Sequence, residues 1–257
     1  MKVIISPAKN MTTKADALEP RGEPIFIDQA QKLVDYLKTL TFQQLKELLN
    51  CNDTLTELNY QRYQNMDLHS GTNPALVSYE GIQYQYMAPR VFTYEYFDYA
   101  QEHLCILSGL YGLLRPFDGI VPYRLEMQTK LKTDFCKNLY DFWGETLYRE
   151  LAKDSNVTIN LASEEYSKCI KRYLQEKDTF ITCRFCEKSV HSPSGTVKLV
   201  EKGVYVKMAR GEMVRYMAEN NLQEPEQLKN SRAWDMGIVR SILLKTYTPL
   251  YAEFTCI

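Results

Sequence analysis

The 257-residue chain has only three histidines, His69, His103 and His191, and none of them sits in an HExxH stretch or a triad setting. It has neither a GxGxxG nor a GxxxxGK(S/T) segment, so dinucleotide-binding and P-loop readings lack their phosphate cradles. No apolar run approaches the roughly 20 residues of a membrane span, which predicts a protein that makes no contact with a bilayer. The amino-terminal MKVIISPAKN has only four apolar residues before Ser6 and no secretory core, so the expected location is the cytoplasm, with the seven cysteines reduced. Cys183 and Cys186 form one CxxC without a second pair, and a zinc site would need Cys169 or His191 close by. Cysteines within a strand are the simpler reading. No dense cluster of His, Cys and carboxylates is present, so neither metal nor cofactor is expected, and direct iron binding is the weakest of the functional readings.

Net charge is small as well: 31 basic and 32 acidic residues give −1, which argues against a protein coated for polyanions. The distribution is uneven. Residues 1–106 carry 9 basic and 13 acidic side chains, residues 107–216 carry 18 and 14, and the remainder 4 and 5. Scattered surface lysines account for that imbalance as well as a basic site does.

With 45% hydrophobic and 25% charged residues, the chain is long enough to bury a full core. KVIIS (2–6), LCILSG (104–109) and VTINLAS (157–163) are apolar, β-branched runs that each break at a serine. Helical periodicity lies between them, over Gln29–Leu40 and Asn138–Lys153. A helical pair spans 41–50 and 55–65 with Thr41 and Thr54 as N-caps, and PRVFTYEYFDYA (89–100) reads as a helix. TFITCRFCEKSV, GTVKLV and GVYVK look like a small antiparallel meander before the helix KMARGEMVRYMAEN. Strands separated by helices predict a mixed α/β fold, a central sheet flanked by helices with a crevice at the strand ends. With no repeat and no long linker, residues 1–257 are expected to form one domain.

The segment LSGLYGLLRPFDGIVPYRLEM (107–127) is the most unusual. Its glycines permit close approaches, and Pro116 and Pro122 stiffen the turns. It presents Tyr111, Arg115, Asp118, Tyr123, Arg124 and Glu126 from a semi-rigid frame, which suits a polar site. The alternative is a structural loop whose arginines pair with Asp118 and Glu126, and composition leaves the two equal. SPAKN (6–10) also follows a strand and offers Lys9 to a phosphate or carboxylate. NLASEEYSK (160–168) offers Asn160, Ser163 as an N-cap, Glu165 and Lys168. On KMARG (207–211), Lys207, Arg210 and Arg215 share one side with Gly211, read here as room for a ligand backbone. Ser6, Ser108, Tyr111, Tyr123, Asn160 and Ser163 are the expected pocket lining. Lys9, Arg115, Arg124, Lys168, Lys207 and Arg210 are the expected phosphate ligands, and Asp118 or Glu165 is a candidate general base.

With ISPAK, LSGLYGLLRPFDGIVPYRLEM, NLASEEYSK and KMARG in this order and spacing, the chain resembles the YaaA family of peroxide stress resistance proteins over about residues 1–229. The resemblance implies a bacterial cytosolic protein that limits iron-dependent damage under hydrogen peroxide. It also implies a compact mixed α/β fold with a positively charged cleft and a helix-hairpin-helix-like element that binds DNA. The helical pair at 41–65 is the candidate element, although its turn CNDT has no glycine where such hairpins use them. From Asn230 the sequence departs from the family's usual ending, and residues 235–257 are expected to be locally unstable. Two functions follow as expectations. One is a monomeric stress protein that binds duplex or branched DNA; the other is an enzyme acting on a nucleotide or nucleobase in a strand-end pocket.

Overall fold

The structure, a computed structural model, describes residues 1–12, 14, 18–190, 197–228, 241–248 and 251–256. In chain order its strands are β1 (Lys2–Ile5), β2 (Asn10–Met11), β3 (Asn73–Pro74), β4 (Tyr79–Glu80), β5 (Leu104–Ser108), β6 (Gly112–Leu114), β7 (Gly119–Ile120), β8 (Val157–Leu161), β9 (Thr179–Val190), β10 (Val197–Val200), β11 (Ser241–Thr248) and β12 (Tyr251–Cys256). The helices are α1 (Ile27–Thr39), α2 (Phe42–Leu49), α3 (Asp53–Gln64), α4 (Ala75–Ser78), α5 (Ile82–Met87), α6 (Tyr94–His103), α7 (Leu139–Trp143), α8 (Thr146–Asp154), α9 (Glu164–Lys171) and α10 (Gly203–Glu219).

The three apolar runs are the parallel centre of the sheet, as expected. β1 lies between β5 and β8, with Val3 opposite Leu104 and Ile159, and β8 pairs in parallel with β9. Their side chains are buried on both faces, which is why these strands read as continuous hydrophobic runs rather than alternating ones. The sheet order is β12-β11-β9-β8-β1-β5-β6, with β10 also on β9. β1 is followed in sequence by β5 on one side and bordered by β8 on the other, so a crevice forms at the carboxyl ends where the winding reverses. One apolar core runs from Val3 to Leu228.

Several local expectations are corrected. GVYVK is not a third meander strand: it opens the 17-residue α10, whose buried Val206, Ala209, Met213, Val214 and Met217 repeat with helical spacing and override the β-branched start. The helix expected over 138–153 is two, broken at Gly144, which takes a left-handed φ of +47°. Thr41 caps α2 in a capping box with Gln44, but Asn52, not Thr54, caps α3 by accepting from Leu55 N at 2.9 Å. Residues 89–100 form a 3-10 turn at Pro89–Val91 and only then α6, because Phe92 is extended. In the α2–α3 turn Asn50 adopts φ 46°, the left-handed conformation a hairpin glycine would supply.

Beyond Leu228, β11 pairs antiparallel with β9, Ser241 opposite Cys186, and β12 follows as the edge. Residues 229–240, within which the unstable tail was expected to begin, lie outside the described residues.

Candidate functional site

The carboxyl ends of β1 and β8 meet directly. Ser163 N donates to Ser6 Oγ at 2.8 Å, and the two hydroxyls are 3.2 Å apart. Ser163 does occupy the N-cap of α9, but its side chain caps nothing, because it is turned to Ser6. Asn160 fixes the approach to this junction: its Oδ1 accepts from Ala162 N at 2.9 Å and its Nδ2 donates to Thr182 Oγ1 at 3.0 Å. Tyr84 of α5 donates to Ser6 O at 3.0 Å, tying the helix to the end of β1.

The 107–127 segment supplies the opposite wall, and Gly109 sets its position. A Cβ there would collide with Leu125 O and stand 3.2 Å from Glu126 C, so only glycine lets the two arms of the loop touch. Trp143 Nε1 donates to Gly109 O at 3.0 Å, and Tyr63 of α3 donates to Arg124 O at 2.7 Å. The helical pair at 41–65 therefore braces this wall from behind. Tyr123 is held by a chain of hydroxyls, 2.6 Å to Ser108 Oγ and 2.8 Å to Tyr79 OH, and burial pushes its phenol up to about 12.

Between these walls lies an open cavity of about 460 Å³, in the range of small-molecule sites. Ser6, Lys9, Tyr123, Arg124, Ser163, Glu165, Lys207 and Arg210 line it. Segments from positions 6 to 210 thus converge on one space. The other predicted residues do not line it. Ser108 and Tyr111 stand behind Tyr123, with Tyr111 OH accepting from Val121 N at 3.2 Å. Antiparallel β6 carries the chain back to the amino ends of the sheet, so Arg115 lies by Lys2, Glu150 and Asp154. Asp118 is buried there and accepts from Arg115 N at 2.8 Å, a turn-stabilising contact; burial raises its carboxyl to about 6. Lys168 points at the Tyr140 ring, 5.2 Å from its centroid. Arg215 pairs with Glu219 at 2.6 Å.

The cavity is mixed in charge. Lys9, Arg124, Lys207 and Arg210 share it with Glu80, Glu126 and Glu165. Glu126, which the sequence offers equally as a polar-site residue and as a structural partner for an arginine, does both: it lines the cavity, and Lys9 Nζ and Arg124 Nη2 both lie 3.1 Å from its Oε1. Glu165 Oε1 accepts from Gln128 N at 3.2 Å; burial raises its pKa, with a smaller push from Glu126. On α10, Lys207 and Arg210 make no hydrogen bond or ion pair among the described residues, although Glu201 acts on Arg210 at longer range. Buried donors are left over as well: Gln83 Nε2, Arg124 Nε and Arg210 Nε have no partner among the described residues. Gln83 was invisible in the sequence, where EGIQYQY shows only a glycine after a short polar run.

Gly211 has a different role from the one expected. A Cβ on it would collide with Gln83 O and stand 2.8 Å from Met87 N, so the glycine admits α5, not a ligand. Cys183 and Cys186 are buried, and the alternation of β9 places them on opposite faces. Among the described residues no group of three or more His, Cys, Asp or Glu is placed to hold a metal ion, and no helix is long and apolar enough to cross a membrane.

A family model described as peroxide stress protein YaaA matches residues 1–236. UPF0246 proteins of Desulfitobacterium hafniense and Agathobacter rectalis are 54% and 49% identical to the chain over 229 residues, covering 89% of it and 89% and 90% of their own lengths. A UPF0246 protein of Lachnoclostridium phytofermentans is 50% identical over 229 residues, covering 89% of this chain and 88% of its own.

Proposed function

The chain belongs to the YaaA family of peroxide stress proteins, and on that premise we propose that it acts in the cytoplasm by binding DNA across the mouth of the strand-end cavity. The observation that carries this reading is the convergence of Lys9, Arg124, Lys207 and Arg210 on one opening. Arginine and lysine on a rigid rim neutralise backbone phosphates and release their counterions, without reading sequence. Ferrous iron is one of the cations a DNA backbone concentrates. A protein that displaces cations from the backbone lowers the amount of iron positioned to generate radicals there, and so limits iron-dependent damage. The test is the affinity of the purified chain for a short duplex and a branched DNA from low to moderate salt. Contacts from Lys207 and Arg210 alone predict a log–log slope of roughly −2, and release of Lys9 and Arg124 from Glu126 steepens it toward about −4; no binding at low salt overturns the reading.

A second reading is favoured by one observation, the size of the site. A volume of about 460 Å³ with Glu165 in its lining, its pKa raised by burial, suits a nucleotide or nucleobase and a proton-transferring carboxyl. The two are compatible, since an enzyme acting on a base in DNA must hold the backbone and admit an unstacked base. Turnover of nucleosides, nucleotides or damaged-base DNA is the measurement; none across that screen removes the catalytic reading.

A further inference from the structure

The polar groups of the cavity are segregated. At the α10 end, Lys207 and Arg210 lie one turn apart on the same helix and have no hydrogen-bonded or ion-paired partner among the described residues. Beside them, across the Gly211 contact, stands Gln83, 7% exposed, whose Nε2, like Arg210 Nε, lacks a partner among the described residues. A buried donor left without an acceptor costs the fold stability, so a wall with two of them suits a ligand rich in acceptors. Glu80 lines the same space but forms no ion pair with either cation.

The loop end is the reverse. Both cations there, Lys9 and Arg124, are already engaged by Glu126, and both ion pairs fall on its Oε1. Glu165 accepts a backbone bond at its Oε1 from Gln128. What this end still offers a ligand is mainly carboxylate oxygen, an acceptor that calls for N–H or O–H donors in a partly dehydrated setting, beside a single buried donor, Arg124 Nε.

Building on the nucleotide reading above, we propose that the cavity takes one nucleotide unit in a fixed orientation, with its phosphate at Lys207, Arg210 and Gln83 and a donor-bearing base edge, as in guanine, at Glu165 and Glu126. Lys207 and Gln83 are binding residues for the phosphate and Glu165 is a binding residue for the base. Orientation follows from which groups are already paired: reversing the ligand sets phosphate beside Glu165 and a Glu126 that already holds Lys9 and Arg124, and leaves the α10 donors facing a neutral ring.

The test uses the full chain and three probes, deoxyguanosine 5′-monophosphate, deoxyguanosine and inorganic phosphate, with binding measured by calorimetry. The monophosphate is expected to bind at least about tenfold more tightly than either fragment. Lys207→Ala, an exposed position chosen over the largely buried Arg210, is expected to weaken the monophosphate and inorganic phosphate about tenfold while leaving the nucleoside unchanged. Glu165→Gln is expected to weaken the monophosphate and the nucleoside while leaving inorganic phosphate unchanged or tighter. A thermal unfolding scan of each variant checks that it is folded. If both substitutions weaken all probes alike, or if the monophosphate binds no better than phosphate, the orientation is wrong. Duplex binding is measured in parallel. Duplex binding without monophosphate binding refutes this inference and leaves the DNA reading standing; monophosphate binding without duplex binding does the opposite.

Discussion

Ser163 donates its amide to Ser6 Oγ at 2.8 Å, although 157 residues separate the two in the chain. Two strand ends are joined at the floor of the cavity by this bond. Ser6→Ala removes the acceptor and leaves a part-buried N–H without this partner, so it is expected to destabilise the fold by about 1 kcal/mol. Urea unfolding of the variant against the parent measures this. Equal midpoints and slopes would mean that the junction contributes nothing.

A second expectation concerns the contact between α10 and α5. Gly211→Ala has to push Gln83 and Met87 backbone atoms aside, and overpacking of this kind costs about 1–3 kcal/mol or more. The gain in helix propensity, about 1 kcal/mol, only partly offsets it. A loss of stability together with weaker ligand binding is predicted, because the helix carrying Lys207 and Arg210 must move. A variant more stable than the parent would show that the helices are not in contact at this point.

Which features could be read before the structure follows from their physical origin. Apolar, β-branched runs such as KVII and VTINL read as buried strands, and the serines beyond them, Ser6 and Ser163, mark the ends that meet at the cavity, whereas Ser108 after LCIL stands behind Tyr123. Lys9, Arg124, Glu165, Lys207 and Arg210 were readable because each follows a strand or recurs on a helix face. Arg115 and Asp118 were misplaced because their direction depends on antiparallel β6, a three-residue strand with no periodicity to detect. Gly211 was misread for a similar reason. A mid-helix glycine signals a close approach, but the sequence does not say of what. Gln83 carried no signal, since an unpartnered amide is defined only by its three-dimensional neighbours.

Asp118 gives a pH-dependent prediction. Burial holds its carboxyl at about 6 in the folded chain against an ordinary 3.8, so the folded state binds this proton more tightly than the unfolded state does. The group's contribution to stability is therefore present at low pH and is lost as pH rises through about 6. Asp118→Asn keeps an acceptor for Arg115 N and is expected to be more stable at pH 7 by on the order of 1–3 kcal/mol, with the difference shrinking toward pH 4. Denaturant curves at both pH values decide this. An equal loss of stability at both would assign Asp118 a purely attractive role as the anion.

The thiols make a fourth case. Burial pushes Cys105 up to about 11 and Cys169 and Cys183 up to about 12, so almost no thiolate is available at neutral pH to react with peroxide. Native labelling with iodoacetamide, followed by peptide mapping, is expected to leave these three unmodified until the chain is unfolded. Rapid modification of any of them in the folded protein would reopen a thiol-based role in peroxide resistance.

The most direct test of the central claim, that cations from separate segments serve one ligand site, is the salt dependence of duplex binding for the parent, for Lys207→Ala in the cavity and for Lys32→Ala at an exposed position of α1. The account predicts that Lys207→Ala lowers affinity and flattens the slope of log K against log salt by about one unit, while Lys32→Ala changes neither. Identical slopes for all three proteins would contradict it.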